Sequence, residues 1–177
     1  MRVDRDTIAA RLEAAFSKRG FSEPGVAELR RAADVSLRTL YKYFPSREDM
    51  IVAALDHRHA RYIALLKQDC PKDPQAALRH VLDCLAQWMR TTAPRGCMHV
   101  AALSAHPDSV AIKQAVAAYK EQVLAFFEGI VGSKEKAGEL FLLHEALSST
   151  WPLYGEEALA WGHSLADKII NGDIVDD

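Results

Sequence analysis

The chain is predicted to be all-α, with about nine helices, because three features of its sequence agree. Apolar residues recur at spacings of three and four: Leu78, Val81, Leu82, Leu85, Trp88 and Met89 within 75–92, then Ile112, Val116, Tyr119, Val123, Phe126, Phe127 and Ile130 within 109–131. That repeat lines one face of a helix. No segment shows the alternation of a half-buried strand bounded by hairpin turns. Breakers separate the periodic stretches at Pro24-Gly25, Pro45, Pro71–Pro74, Pro94-Arg95-Gly96, His106-Pro107, Gly132-Ser133 and Pro152–Gly155.

The first helix is expected over 5–19, with Ile8, Leu12 and Phe16 on one side and Gly20 as its natural stop. A short second helix, 26–33, turns Val26, Leu29 and Ala33 to the same side. Only Asp34, Val35 and Ser36 separate it from the third, and so brief a turn makes two helices cross steeply. The Ser36 hydroxyl is placed to accept an orphaned N–H of the third helix. Pro45 pushes Phe44 toward extended backbone and ends it. Leu37, Leu40 and Phe44 are its expected buried anchors, which leaves Arg38, Thr39, Lys42 and Tyr43 facing outward. Long cations and hydroxyls on a helix of two turns suit a DNA major groove; a solvated helix plugging a small core is the alternative.

Ser46 is expected to cap a fourth helix reaching to about residue 69, with Glu48 and Asp49 complementing its dipole. The stretches 75–92 and 109–131 follow, with a helix start near Cys97 between them. The last two helices, about 137–151 and 156–171, carry Leu140, Phe141, His144, Leu147 and Trp151, then Leu159, Trp161, Leu165 and Ile169. Small residues among them, Gly138, Ala146, Ser148, Ala158, Gly162 and Ala166, permit close approach.

At 177 residues and 49% hydrophobic content the chain can fill one large core or two small ones. The N-terminal stretch is studded with charge and has neither a signal-peptide apolar run nor a membrane span, so the chain is expected to stay in the cytoplasm. Three scattered cysteines, Cys70, Cys84 and Cys97, argue against a disulfide framework. The net charge of −2 hides an asymmetry: residues 1–47 hold ten Arg/Lys against six Asp/Glu, and residues 48–177 twelve against eighteen. A basic head on an acidic body points to a polyanion bound at one end.

The run from Phe16 through "KRGF" and then "VAELRRAADVSLRTLYKYFPSREDMIVAAL" resembles the N-terminal helix-turn-helix of the TetR family of bacterial transcriptional regulators. Gly20-Phe21, Val26, Leu29, Ala32-Ala33, Val35-Ser36, Thr39-Leu40-Tyr41, Tyr43-Phe44 and Ser46-Arg47-Glu48 carry the likeness. It covers about the first 55 residues; the rest agrees in helical content and length. The resemblance implies a helix-turn-helix DNA-binding domain over 1–47 and a helical ligand-binding and dimerisation domain over 48–177. It further implies a homodimer, a double-stranded DNA operator, and a small-molecule effector that relieves repression.

The resemblance also assigns residues. Thr39, Tyr41, Tyr43 and Arg47 stand where family members contact phosphates, beside the N-cap Ser36, while Leu37, Arg38 and Lys42 occupy positions that face bases. Arg38 suits guanine, whose O6 and N7 a guanidinium binds together; a plain phosphate contact is its alternative. The chain departs from the family pattern at Arg30 (usually a small Ala), at Asp34 (usually Gly) and at Gly25 (usually Ser or Thr). In the family the last two helices form a dimer's four-helix bundle, which assigns Phe141, His144, Leu147, Leu159, Gly162, Leu165 and Ile169 to the interface.

Trp88, Met89, Met98, Tyr119, Phe126, Phe127 and Trp151 are candidates to line an apolar effector pocket, with plain core as the alternative for each. Cys97, beside Arg95 and Gly96 near a helix start, has a setting that can activate a thiol, so it joins the pocket candidates and a thiol sensor stays open; an inert core cysteine is the alternative. Cys97 and His99 lack a third metal ligand, and the other histidines show no zinc spacing, so no metal or cofactor is expected. With no Gly-rich phosphate loop, HExxH or nucleophile elbow, an enzyme is the weaker reading. A helix-turn-helix used only for protein contacts is a further alternative.

Overall fold

In a computed structural model the described residues are 4–172. Among them are nine helices and no strand: α1 (Arg5–Arg19), α2 (Val26–Ala33), α3 (Leu37–Tyr43), α4 (Arg47–Lys67), α5 (Pro74–Thr91), α6 (Met98–Ala105), α7 (Val110–Val131), α8 (Lys134–Tyr154) and α9 (Glu156–Asn171). None is long and apolar enough to cross a membrane.

Local chemistry sets the ends. Asp4 accepts the Thr7 N–H at 2.8 Å to start α1, and Gly20, at φ 77°, returns its N–H to the Phe16 carbonyl. At the start of α4, Ser46 and Asp49 satisfy each other: the Ser46 N–H and hydroxyl donate to Asp49 Oδ2 at 2.8 and 2.7 Å, and the Asp49 N–H donates to Ser46 Oγ at 3.1 Å. Asp73 caps α5, with Pro74 at its first position, where no N–H is needed.

One helix ends three residues later than expected. Helix α8 runs through Pro152 to Tyr154. Proline forfeits the hydrogen bond to the carbonyl four residues back, but only two helical residues follow it, and the Gly155 N–H closes the end on the Trp151 carbonyl at 2.9 Å.

The helices form two compact units, each discontinuous in sequence. One comprises residues up to Arg61 with Met98–Tyr119; the other comprises Tyr62–Cys97 with the residues from Lys120 onward. Two of the three divisions fall inside helices, α4 and α7, and the third lies at the start of α6. These units do not follow the boundary at 47/48, which remains a proposal about which residues read DNA.

In the first unit, Ile8, Leu12 and Phe16 of α1 meet Leu29 and Ala33 of α2, Leu40 of α3, Phe44, and Met50, Ile51 and Leu55 of α4. Met98, Ala102, Ile112, Val116 and Tyr119 complete this core. Each fully buried side chain of this size contributes about 1.5–3 kcal/mol. Glu13 is buried on α1 and is matched from α4: His57 Nδ1 lies 2.6 Å from its carboxylate, Arg58 Nη1 3.2 Å and Arg61 Nη1 3.0 Å.

In the second unit α8 and α9 pack together and α5 lies against both, around Leu78, Val81, Leu82, Leu85, Leu140, Leu147 and Ile169. Gly162 lies at this seam, where a Cβ would meet Leu147 at 3.6 Å and Leu82 at 3.8 Å in ordinary van der Waals contact. Polar rungs join α5 to α9: Arg79–Asp167 at 2.6 Å, Asp83–His163 at 3.0 Å and Arg90–Glu156 at 2.6 Å.

Candidate functional site

The seven residues of α3 are held in place at both ends. Ser36 Oγ accepts the Thr39 N–H at 3.0 Å, and its hydroxyl lies 2.8 Å from that of Thr39. Leu40 and Phe44 are fully buried. Arg38, Tyr41 and Lys42 stand exposed, with Thr39 and Tyr43 partly so. The Lys42 ammonium sits 5.8 Å over the Tyr43 ring, and Tyr43 is tilted against Phe44, 6.4 Å between ring centroids. The face thus offers two cations, two phenols and a threonine hydroxyl on a rigid support, groups suited to phosphates and base edges.

Two residues stand otherwise than expected. Leu37 is not an anchor: it is 46% exposed at the first position of α3. An apolar side chain there is free to meet a thymine methyl. Arg47 turns inward, its guanidinium donating to the carbonyls of Phe21 and Pro24 and lying 5.9 Å over the Phe16 ring. It fastens the start of α4 to the α1–α2 loop, whose carbonyls have no helical partner.

The turn before α3 has its own relief. Asp34 takes the left-handed conformation, φ 54° and ψ 49°, which Asp tolerates better than most residues. The N–H groups of Asp34 and Val35 return to the carbonyls of Arg31 and Arg30 at 3.1 and 3.5 Å. Arg30, Arg31, Asp34, Val35 and Ser36 line a shallow concavity here. Arg11 supports its floor, donating to the Ala33 carbonyl at 2.7 Å and lying 3.7 Å from the Asp34 carboxylate. Gly25 starts α2 without a side-chain cap.

The pocket candidates divide between the two units. Met98 and Tyr119 belong to the first core, where Tyr119 stacks on His59 at 4.7 Å and donates to Asp56. Burial, then that hydrogen bond, holds its phenol well above the usual range. Trp88, Met89, Phe126, Phe127 and Trp151 belong to the second core, so helical periodicity had joined residues that face different interiors.

The second core contains a polar chain. Tyr62 OH lies 2.6 Å from His144 Nε2, His144 Nδ1 lies 3.2 Å from Glu145, and Lys120 Nζ lies 2.6 Å from the same carboxylate. An ionised Glu145 can only accept, so Nδ1–H donates to it, while Nε2 and the Tyr62 hydroxyl share the other hydrogen bond. Burial raises the Tyr62 phenol further, with the acidic neighbourhood adding to it. Burial also works against ionisation of Glu145, but the His144 hydrogen bond and the Lys120 ammonium outweigh it and hold its pKa at about 2. Lys120 Nζ is also 3.7 Å from Cys97 Sγ. Trp88 lies 5.3 Å from the Tyr62 ring and Phe127 5.9 Å from that of His144. Among the described residues, no group of three or more His, Cys, Asp or Glu could hold a metal ion.

The interface candidates split as well. His144, Leu147, Gly162 and Ile169 are buried within their own unit, and Phe141 and Leu159 pack partly against its core; Leu165 is exposed. The apolar residues that α8 and α9 turn outward are Leu142 (68% exposed), Leu153 (80%), Tyr154 and Trp161, with Leu165. Gly162, which the resemblance assigns to the interface, packs against Leu147 of α8 and Leu82 of α5 in its own unit.

Comparison with known proteins agrees with this geometry. Residues 8–54 match the family of bacterial regulatory proteins, tetR family. The HTH-type transcriptional regulator LuxR of Vibrio harveyi is 33% identical over 61 residues, 34% of this chain and 30% of LuxR, so the match spans under a third of that relative. Among solved structures, the TetR-family transcriptional regulator SCO4454 from Streptomyces coelicolor has a TM-score of 0.82 at 19% identity, covering 94% of this chain and 89% of its own. A TetR transcription regulator from Haloarcula marismortui has a TM-score of 0.78 at 16% identity, covering 95% and 96%. At such identities the likeness is one of fold. The proteins matched are regulators, not enzymes.

Proposed function

We propose, on the premise that residues 8–54 are a TetR-family N-terminal domain, that the protein is a transcriptional repressor. It binds a palindromic DNA operator as a homodimer and is released by a small molecule. The carrying observation is the outward face of α3: Leu37, Arg38, Tyr41 and Lys42 stand exposed on a helix whose other side is fixed by Leu40 and Phe44. Ser36, Thr39 and Tyr43 serve the phosphates beside it. Arg47 acts through the loop it holds.

Reading two half-sites about 34–36 Å apart requires two copies of α3. Leu142, Leu153, Trp161 and Leu165 supply the apolar face for a second copy of this chain. The effector acts on the second unit, where Trp88 and Phe127 lie against the Tyr62–His144–Glu145–Lys120 chain. Release requires only that the effector bind more tightly to the state that cannot engage DNA, and α4, which contributes residues to both units, transmits the difference. The Lys120 ammonium beside Cys97 favours a thiol-responsive variant of the same release.

Selection of fragments from randomised duplex DNA at low and near-physiological salt tests the reading, with Lys42→Ala as control. A palindrome recovered by the native protein and lost in the variant supports it. No enrichment from a folded dimer refutes it, as a protein-contact helix-turn-helix would give none.

A further inference from the structure

We propose that Arg30 and Arg31 form a second phosphate clamp at the turn before the recognition helix. The inference rests on the DNA-binding reading and adds residues to it. Both arginines line the concavity that also contains Ser36, the N-cap of α3, and neither is ion-paired to a carboxylate among the described residues. Their carbonyls receive the N–H groups of Asp34 and Val35, so the backbone carrying them is locked to the turn that aims α3. Arg31 is exposed and Arg30 partly so.

The charge balance favours an anion. Arg11, Arg30 and Arg31 face one carboxylate, Asp34, whose nearest cation, Arg11, is 3.7 Å away. Guanidinium forks match phosphate oxygens in pairs, and Gly25 leaves the other end of α2 without the hydroxyl that could have bound one. A phosphate at the C-terminal end of α2 thereby replaces one lost at its start.

The test measures duplex affinity by fluorescence anisotropy on a labelled mixed-sequence duplex, between about 50 and 200 mM salt. The variants are Arg30→Ala, Arg31→Ala, the double Ala variant and the double Lys variant, with Arg79→Ala as an off-site control. Each phosphate contact contributes about 0.9 to the slope of log affinity against log salt. With one phosphate held per protomer, the double Ala variant should therefore lower the slope by about 1.8 in a dimer and each single Ala variant by less, while the Lys variant keeps most of it and Arg79→Ala moves it little. Equal slopes for native protein and double Ala variant, both folded by circular dichroism, overturn the clamp and leave the DNA reading standing. A loss confined to one duplex sequence also overturns it, because it would signal base readout. Absence of salt-sensitive binding by the native protein overturns both readings.

Discussion

Replacing Glu145 by Gln should destabilise the protein at neutral pH and cost little in acid. In the folded chain the Glu145 pKa lies at about 2 against an ordinary 4.5, a difference corresponding to about 3 kcal/mol at 1.36 kcal/mol per tenfold step. Glu145 and Lys120 each keep 23% of their side chains exposed, so solvent screening brings the expected effect to about 1.5 kcal/mol. A carboxyl whose pKa is depressed by folding contributes in full above pH 4.5 and loses its contribution as the pH falls through about 2. Urea unfolding of native protein and variant, followed by tryptophan fluorescence at pH 7, 4 and 3, measures the difference, and Lys120→Met completes a double-mutant cycle. The gap between the two proteins should shrink by about half from pH 7 to pH 3. A gap of constant size, or one that widens in acid, would refute the assignment of an ionised Glu145 between Lys120 and His144.

Three further outcomes are expected. Arg38→Ala should relax sequence preference at one position of each half-site by about 1–3 kcal/mol if its guanidinium reads guanine, as scored by competition between operators altered at that base pair; uniform weakening over all sequences would make it a phosphate ligand. Trp161→Glu should convert the proposed dimer to a folded monomer in sedimentation, since Trp161 is 47% exposed and its ring partner is the exposed Tyr154, 5.3 Å between centroids; a persisting dimer would move the interface elsewhere. Ser46→Ala should lower stability by about 1 kcal/mol, seen in thermal melts, because it removes both the cap of the Asp49 N–H and a donor to the Asp49 carboxylate.

Sequence reading succeeded where the cause is local. Gly20, Ser36, Pro45 and Ser46 act on the backbone within a few residues, and the helix starts and stops they imply are those found; Ser133 starts α8 at Lys134, earlier than the expected 137. It failed where the cause lies across the fold. Periodicity shows that Met98, Tyr119, Trp88 and Phe127 face inward without saying which interior they face. Tyr62 and His144 are 82 residues apart, and nothing local announces their bond, although a His-Glu pair on an otherwise apolar face signals a buried polar partner. Arg47 matched a family position, yet its direction depends on two loop carbonyls more than twenty residues upstream. Pro152 looked like a stop because a proline's cost is judged against a helix that continues beyond it.

The buried Glu13 carboxylate bears on what can be cut away. Its three partners lie at 57, 58 and 61, and the same core draws Met98, Ala102, Ile112 and Val116 from much later in the chain. A fragment ending at residue 47 would retain the whole helix-turn-helix, yet strand an uncompensated negative charge in an interior missing one wall, at a cost of about 3–5 kcal/mol for the charge alone. A reading head excised for work in isolation should therefore extend through Arg61, with the α6–α7 segment supplied or its buried face rebuilt in polar residues.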